Sequence, residues 1–492
     1  MVRRSSVRHI VLRVVLGLAV LPAVACARYQ RYESAPLDPE RQAAVYAERR
    51  LDDPELAHFL TEHGAPSPDS GLSPTALAFV ALYFRTDLAE ARASLRASRA
   101  GEITAGTHPF PSATATMERA SSRGEGNSSP WTVSLTTGLT FETGGKRAAR
   151  LARARAFTLA SGLRLDATAW RLAQDARQAA VTSLGTDRDL ADAEAEVAAL
   201  RTVLELLRAR YAEGRISLAD IAQAETDVQT AVVARVQTRR ARTDARVALA
   251  RSLGVPLQHV ERVPLREEPR SACDLSDSIG VDSAAARLAS IALRQRYEVG
   301  ATLADYAVAD ANLRLQVAQQ YPDLTIGPGI VWDQGITRWL LSIGSSAIPL
   351  NRNRGPIAEA EARRAVQAAR VALVEDTVLA QVDSGVAGCR DVGGAIAATD
   401  SLVATTAERL RLTGAAYARG EIGQTEVAFA RLALVRVTRT RRQALRRRQT
   451  AGVALEAALG RWLTAPGIRW PELREPSGSE EAPGGRRKEK RE

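Results

Sequence analysis

Few side chains in this 492-residue chain are placed to do chemistry. Its five histidines, His9, His58, His63, His108 and His259, show no spacing that would bring two of them onto one metal ion. Gly144-Gly145-Lys146 lacks the spaced glycines of a phosphate-binding loop, and its glycines suit a sharp turn from strand into helix. Of the three cysteines, Cys273 and Cys389 lie far apart, one in a predicted loop and one in a predicted helix. A disulfide between them is open, but that setting favours two unpaired thiols. Asp220 and Glu426 each follow a glycine, Gly214 and Gly420, by six residues. Ser217-x-x-Asp220 has capping-box spacing, and an acid in a first helical turn complements the helix dipole. No catalytic constellation, cofactor site or metal site emerges, so the chain reads as a non-enzyme.

The third cysteine sits in an address. Arg3, Arg4, Arg8 and Arg13 precede the apolar run Val14 to Val20, and Ala23-Val24-Ala25 leads into Cys26. This resembles a signal peptide over residues 1–25, cut before a lipidated Cys26; an ordinary signal peptide cleaved nearby is the alternative. Ala27 is not the Asp that tends to hold bacterial lipoproteins at the inner membrane, so the outer membrane is the expected destination. Beyond Val20 no apolar run approaches the ~18 residues of a membrane-spanning helix. The mature chain can therefore cross a bilayer only by β-strands. The net charge of +11 arises from arginines interleaved with acids, apart from the block Arg436 to Arg448 and the tail Arg486-Arg487-Lys488. No aromatic platform or groove-reading motif accompanies them, so no nucleic-acid partner is expected.

What must position these residues is a duplication. Tyr211-Ala212-Glu213-Gly214-Arg215-Ile216 returns 206 residues later as Tyr417-Ala418-Arg419-Gly420-Glu421-Ile422, and the register holds until Leu253-Gly254 meets Leu459-Gly460. Each repeat reads as a helix, a two-strand pattern, a very long helix, a Gly-centred turn and a return helix. The expected boundaries are a leader over 26–73 with a short helix near Glu40 to Arg50, a first repeat over 74–255, an irregular linker over 256–280, a second repeat over 281–464 and a disordered basic tail over 465–492. Within the first repeat, Pro74 opens a helix to about Gly101. Its hairpin spans 108–142: Trp131, Val133, Leu135, Leu139 and Phe141 alternate with polar residues, and Phe110 to Met117 is the partner. In the second, the hairpin spans 321–350, with Leu324, Ile326, Ile330 and Trp332 on one strand, Asp333 to Arg338 the turn, and Trp339, Leu341 and Ile343 on the return. Gly185 in the first long helix and Gly385, Gly388, Gly393 and Gly394 in the second mark close packing or a local break.

A strand of about ten residues with one apolar face suits the wall of an outer-membrane barrel, yet four strands cannot close one, since the smallest need about eight. Other copies of the chain must supply the rest. Long helices of about 100 Å likewise need neighbours to bury their apolar stripes. Duplicated halves, each a hairpin ending in a Gly/Arg/Asn-rich corner and a long helix ending in Tyr-x-x-Gly, resemble the outer-membrane efflux channel family typified by TolC. Tyr321-Pro322-Asp323-Leu324 and Ile348-Pro349-Leu350-Asn351-Arg352-Asn353-Arg354-Gly355 look especially like that family's second hairpin.

The resemblance, over about Pro74 to Leu463, implies a mostly α fold with a membrane β part. It implies a homotrimer whose long-helix hairpins form a periplasmic α-barrel and whose four strands per chain join a shared twelve-stranded barrel. It further implies a periplasmic adaptor docked on the tips at Arg210, Tyr211, Gly214, Arg215, Ile216, Tyr417, Gly420, Glu421 and Ile422, and an inner-membrane transporter reached through that adaptor. Glu426 falls where the family can carry an acidic ring, with Asp220 beside it and Phe429 at the neighbouring ring position, a constriction that is partly hydrophobic. The function so implied is passive conduction of substrates out of a tripartite efflux system. The alternatives are a type I secretion duct, a periplasmic coiled-coil scaffold without a pore, and an adaptor, which should instead show one hairpin flanked by split β halves.

Overall fold

The computed structural model describes residues 32–65, 71–121, 129–268, 270–276, 281–334, 336–345, 351–463, 470–471 and 473. Cys26 and the signal-peptide reading lie outside them. The chain divides after Glu48. The first unit holds α1 (Pro39–Ala47), started by Asp38, whose carboxylate accepts from the backbone N–H of Glu40 and Arg41 at 3.0 and 3.2 Å.

The second unit begins with α2 (Pro54–Glu62), whose Leu56 and Leu60 are fully buried. That part of the leader is core and not an extended arm, because these leucines meet α3 (Pro74–Phe84), which is apolar on all sides and buried from Pro74 to Leu82. The helix expected from Pro74 to Gly101 is in fact two, broken at the extended Arg85 before α4 (Thr86–Gly106). Arg85 is anchored at the break, with Nη1 donating to the Arg251 carbonyl at 2.9 Å and its guanidinium paired with Asp87. Then follow β1 (Ser112–Arg119), β2 (Trp131–Phe141), the long α5 (Lys146–Ala212) and the return α6 (Leu218–Leu253). The linker expected to be irregular carries two short helices, α7 (Leu257–Arg262) and α8 (Ala272–Ser276).

The second repeat runs through α9 (Val281–Gln295), α10 (Tyr297–Ala318), β3 (Leu324–Asp333), β4 (Ile336–Ser345), the long α11 (Arg354–Ala418) and α12 (Gln424–Leu459). It breaks at Arg296 as the first repeat breaks at Arg85, and each arginine lies against the glycine that ends its return helix, Gly460 and Gly254. At 1.5 Å per residue the 67 residues of α5 span about 100 Å, and α3, α4 and α6 together match that length alongside it. The packing order is α4 and α6, then α5, then α10 and α12, then α11. The glycines of α11 make no break: the helix is continuous, and Gly385 lies against Leu455.

The strands form one antiparallel sheet in the order β1-β2-β3-β4. Its register puts Met117, Val133 and Trp332 in one row, Ala115, Leu135, Ile330 and Trp339 in another, and Leu139, Ile326 and Ile343 in a third. These rows share one face, because side chains alternate along a strand. The other face carries Thr116, Ser134, Thr136, Gly327 and Ser342. The predicted partner strand from Phe110 to Met117 is displaced to Ser112–Arg119, where pairing continues to Arg119↔Trp131. Neither β1 nor β4 has a second neighbour among the described residues. No described helix is long and apolar enough to cross a membrane.

Two further expectations are corrected, and the arginine block finds its partners. Cys273 and Cys389 are joined in a disulfide, Cα atoms 5.2 Å apart, which fixes α8 to the middle of α11. Cys273 is helical, and both sulfur-bearing side chains are buried in the core between α8, α11 and α12. The Arg436 to Arg448 block is internal glue: Arg436 and Arg439 reach Glu196 at 2.8 and 2.9 Å, while Arg442 pairs with Asp192 and Arg446 with Asp189. These pairs tie α12 to α5, that is, the second repeat to the first. Finally, Trp470 and Leu473, expected in a disordered tail, pack on the core around Phe79 and Trp170.

Candidate functional site: the two helical tips

At each tip a long helix must reverse direction within a few residues, and the backbone does so through a left-handed glycine. Gly214 has φ +72° and Gly420 φ +78°, conformations that side chains with a Cβ rarely adopt. The hydrogen bonds repeat as well. Gly214 N–H donates to the Tyr211 carbonyl at 2.8 Å and Arg215 N–H to Arg210 at 3.0 Å; Gly420 donates to Tyr417 at 2.9 Å and Glu421 to Ala416 at 3.0 Å. These close the orphan carbonyls of α5 and α11 in the Schellman manner.

The turns project the side chains named from the sequence. Tyr211 and Tyr417 are about equally exposed, at 44% and 46%. Arg215 pairs with Glu213 at 3.1 Å and Arg419 with Glu421 at 2.5 Å, with all four side chains more than half exposed. The Arg419 hydrogen bond holds the Glu421 carboxyl below its usual range. Ile216 is half-buried against the core of Val203, Leu204 and Ile221, and Ile422 is likewise half-buried. No described residue lies within 4 Å of a Cβ built at Gly214 or Gly420, so both turns open to solvent.

Beyond the turns the repeats diverge. Ser217 caps α6 in a complete capping box: its hydroxyl accepts from Asp220 N–H, and Asp220 Oδ2 accepts from Ser217 N–H at 2.9 Å. The Ser217 hydroxyl, which donates to Asp220 Oδ2 at 2.8 Å, and then the Ser217 N–H hold the Asp220 carboxyl below its usual range. Asp220 is therefore engaged in the cap. At the matching place, α12 starts at Gly423 with no side-chain cap, and Glu426 turns to Arg210 at the end of α5. Arg210 Nη2 donates to both carboxylate oxygens of Glu426, at 2.9 and 2.8 Å. Burial pushes the Glu426 carboxyl up, but the Arg210 hydrogen bond and charge, together with the backbone N–H groups of Glu426 and Gly423, outweigh it, and the net shift is downward. Phe429 follows one turn along α12 and is 47% exposed.

Thus Arg210, read from the sequence as part of the docking tip, and Glu426, read as part of a constriction, are one ion pair. Gly423 escaped notice. Its signal was present in the duplication, since Ser217 and Gly423 differ where Tyr211 and Tyr417 do not. Among the described residues no group of histidines, cysteines or acids is arranged to hold a metal ion.

Residues 80–255 match the family model described as outer membrane efflux protein. No curated protein sequence matches the chain. Among solved structures, the outer membrane protein VceC of Vibrio cholerae superposes with a TM-score of 0.63 at 19% identity, over 79% of this chain and 96% of that one. The outer-membrane channel OprN gives 0.65 at 16%, over 88% and 98%. The open state of the MtrE outer membrane channel of Neisseria gonorrhoeae gives 0.56 at 20%, over 79% and 89%. At these identities the likeness establishes the fold.

Proposed function

We propose that this chain, whose residues 80–255 match the outer membrane efflux protein family, is the exit channel of a tripartite efflux system, working as a homotrimer with a lipid anchor at Cys26. The observation that carries the reading is the sheet. Four strands place Val133, Leu135, Ile326, Ile330, Trp339 and Leu341 on one face, while the other mixes Thr116, Ser134, Thr136, Gly327 and Ser342 with charged Glu118, Asp333 and Arg338 and with Val331, Ile336 and Leu340, and both edges are unpaired among the described residues. A bilayer tolerates such a sheet only once its edges are closed. Three copies supply twelve strands, with the apolar face to lipid and the polar face to a water-filled passage.

The helices ask for the same neighbours. Val366, Leu373, Leu402 and Leu412 are exposed on α11, at one side of the packing order, and Val233, Val236 and Val247 on α6, at the other. Copies placed side by side bring these stripes together. The tips, with Tyr211, Tyr417 and the exposed ion pairs around Gly214 and Gly420, take the periplasmic adaptor, through which an inner-membrane transporter supplies the energy. Glu426 and Phe429 line the narrowest part of the passage. The test is reconstitution of the detergent-purified trimer into planar bilayers. Stepwise conductance is expected; a folded trimer that never conducts would leave the scaffold reading in its place.

A further inference from the structure

The two repeats build the same turn and then start their return helices differently, and backbone conformation does not account for the difference. Gly423 lies at φ −90°, ψ 169°, and Ser217 at φ −86°, ψ 161°. Both are ordinary extended N-cap geometries open to any residue. A side chain at position 423 would instead push the end of Arg210 aside. A Cβ there would stand 2.5 Å from Arg210 Nη2 and 3.1 Å from Glu426 Oε2, so it would occupy the ground where guanidinium and carboxylate meet. The equivalent junction, between the end of α11 and the start of α6, has neither feature: Ser217 stands in place of Gly423, Ala416 in place of Arg210, and Asp220 is turned back onto its own helix cap.

We infer that Gly423 decides the charge presented at the mouth of the passage, by leaving room for Arg210 to neutralise Glu426. The inference rests on the channel reading, in which Glu426 faces the passage. In a threefold assembly the constriction is then a ring of three ion pairs and not a ring of three free carboxylates, and it favours neither cations nor anions. A ring of uncompensated acids would attract cations and repel anions. With a serine at 423, Arg210 is displaced and Glu426 is drawn to the new cap, as Asp220 is to Ser217, but without a counter-ion.

The experiment compares potassium against chloride permeability, from reversal potentials of the full-length trimer in planar bilayers under a potassium chloride gradient. Wild type is expected to discriminate little between the two ions. Gly423→Ser and Arg210→Gln should each raise the potassium preference at least about twofold, and Glu426→Gln added to Arg210→Gln should remove the gain. Arg210 is partly exposed and its replacement leaves the backbone untouched, so Arg210→Gln carries the test even if Gly423→Ser misassembles. Wild-type ratios in Arg210→Gln, or a strong wild-type potassium preference that Glu426→Gln alone abolishes, would overturn the inference while the channel stands. A wild-type trimer without conductance would remove the channel reading and this inference together.

Discussion

Arg177 and Glu456 form an ion pair that solvent does not reach, both side chains being 1% exposed. The guanidinium has a second carboxylate at 3.0 Å, Glu268, which itself accepts from Thr75 N–H at 2.7 Å. Glu456 accepts from Leu463 N–H at 2.6 Å, and the Trp462 ring lies 4.6 Å from the guanidinium carbon. The start of α3, the middle of α5, the linker and the end of α12 thus meet at one charged point. Removing one partner strands the other charge in the core. Glu456→Gln is expected to destabilise the protein by about 3–5 kcal/mol, whereas Asp244→Ala, which breaks the exposed pair with Arg240, should cost less than about 1 kcal/mol. Thermal unfolding of detergent-solubilised protein measures both, and equal shifts would refute the assignment.

Cys273 and Cys389 are separated by 116 residues, so their bond restricts a long loop of the unfolded chain. Cys273→Ser combined with Cys389→Ser should cost about 2–5 kcal/mol. It should also loosen α8, which is otherwise held by the Ser271 hydroxyl on the Arg448 carbonyl at 3.0 Å and by the Arg448–Asp274 pair. The readouts are the thermal midpoint and proteolysis within 270–276. A double variant with wild-type stability and no new cleavage would show that the remaining contacts suffice.

The duplication made the elements of this fold legible, because period-two alternation at Trp131 to Phe141 and the recurrence of Tyr-x-x-Gly are local signals. What stayed hidden was long-range. The break at Arg85 follows from the approach of Arg251 and Gly254, about 170 residues away, and no residue around Arg85 is a helix breaker. Cys273 read as a loop thiol since five-residue helices such as α8 form only against a surface, here α11 and α12. The arginine block carried no sign of its partners, the acids of α5, which lie some 240 to 257 positions away. At the site, each residue type was visible, but the Arg210–Glu426 contact spans 216 positions and leaves no trace in either segment alone.

The left-handed glycines offer a clean separation of folding from function. At Gly214 and Gly420 a Cβ meets nothing within 4 Å beyond its chain neighbours, so the main cost of Gly214→Asp or Gly420→Asp is backbone strain of about 1–2 kcal/mol per site. The trimer should still assemble. Export should fall, because the new carboxylate stands on the surface assigned to the adaptor. The two readouts are trimer content of the membrane fraction and efflux of a substrate that the wild-type channel is first shown to export. Unchanged efflux in both variants would detach the adaptor from these turns.

The Glu426 carboxyl titrates below its ordinary value of 4.5: burial raises it, and Arg210 with the backbone N–H groups of Glu426 and Gly423 lowers it further than that. A depressed acid contributes its stabilisation fully above the ordinary value and loses it as pH falls through the value it has in the folded state. The Arg210–Glu426 link should therefore be intact from pH 8 to about pH 6 and weaken only in stronger acid. If the pair sits at the constriction, potassium-to-chloride selectivity of the wild-type channel should be flat over the upper part of that range and turn toward chloride once Glu426 is protonated, since Arg210 is then left uncompensated. In Arg210→Gln the glutamate lacks its counter-ion, so the acid transition should begin at a higher pH and end with loss of cation preference, not with preference for anions. Reversal potentials recorded across a pH series in both proteins separate the cases. Identical transitions would show that Arg210 does not govern Glu426 in the assembled channel.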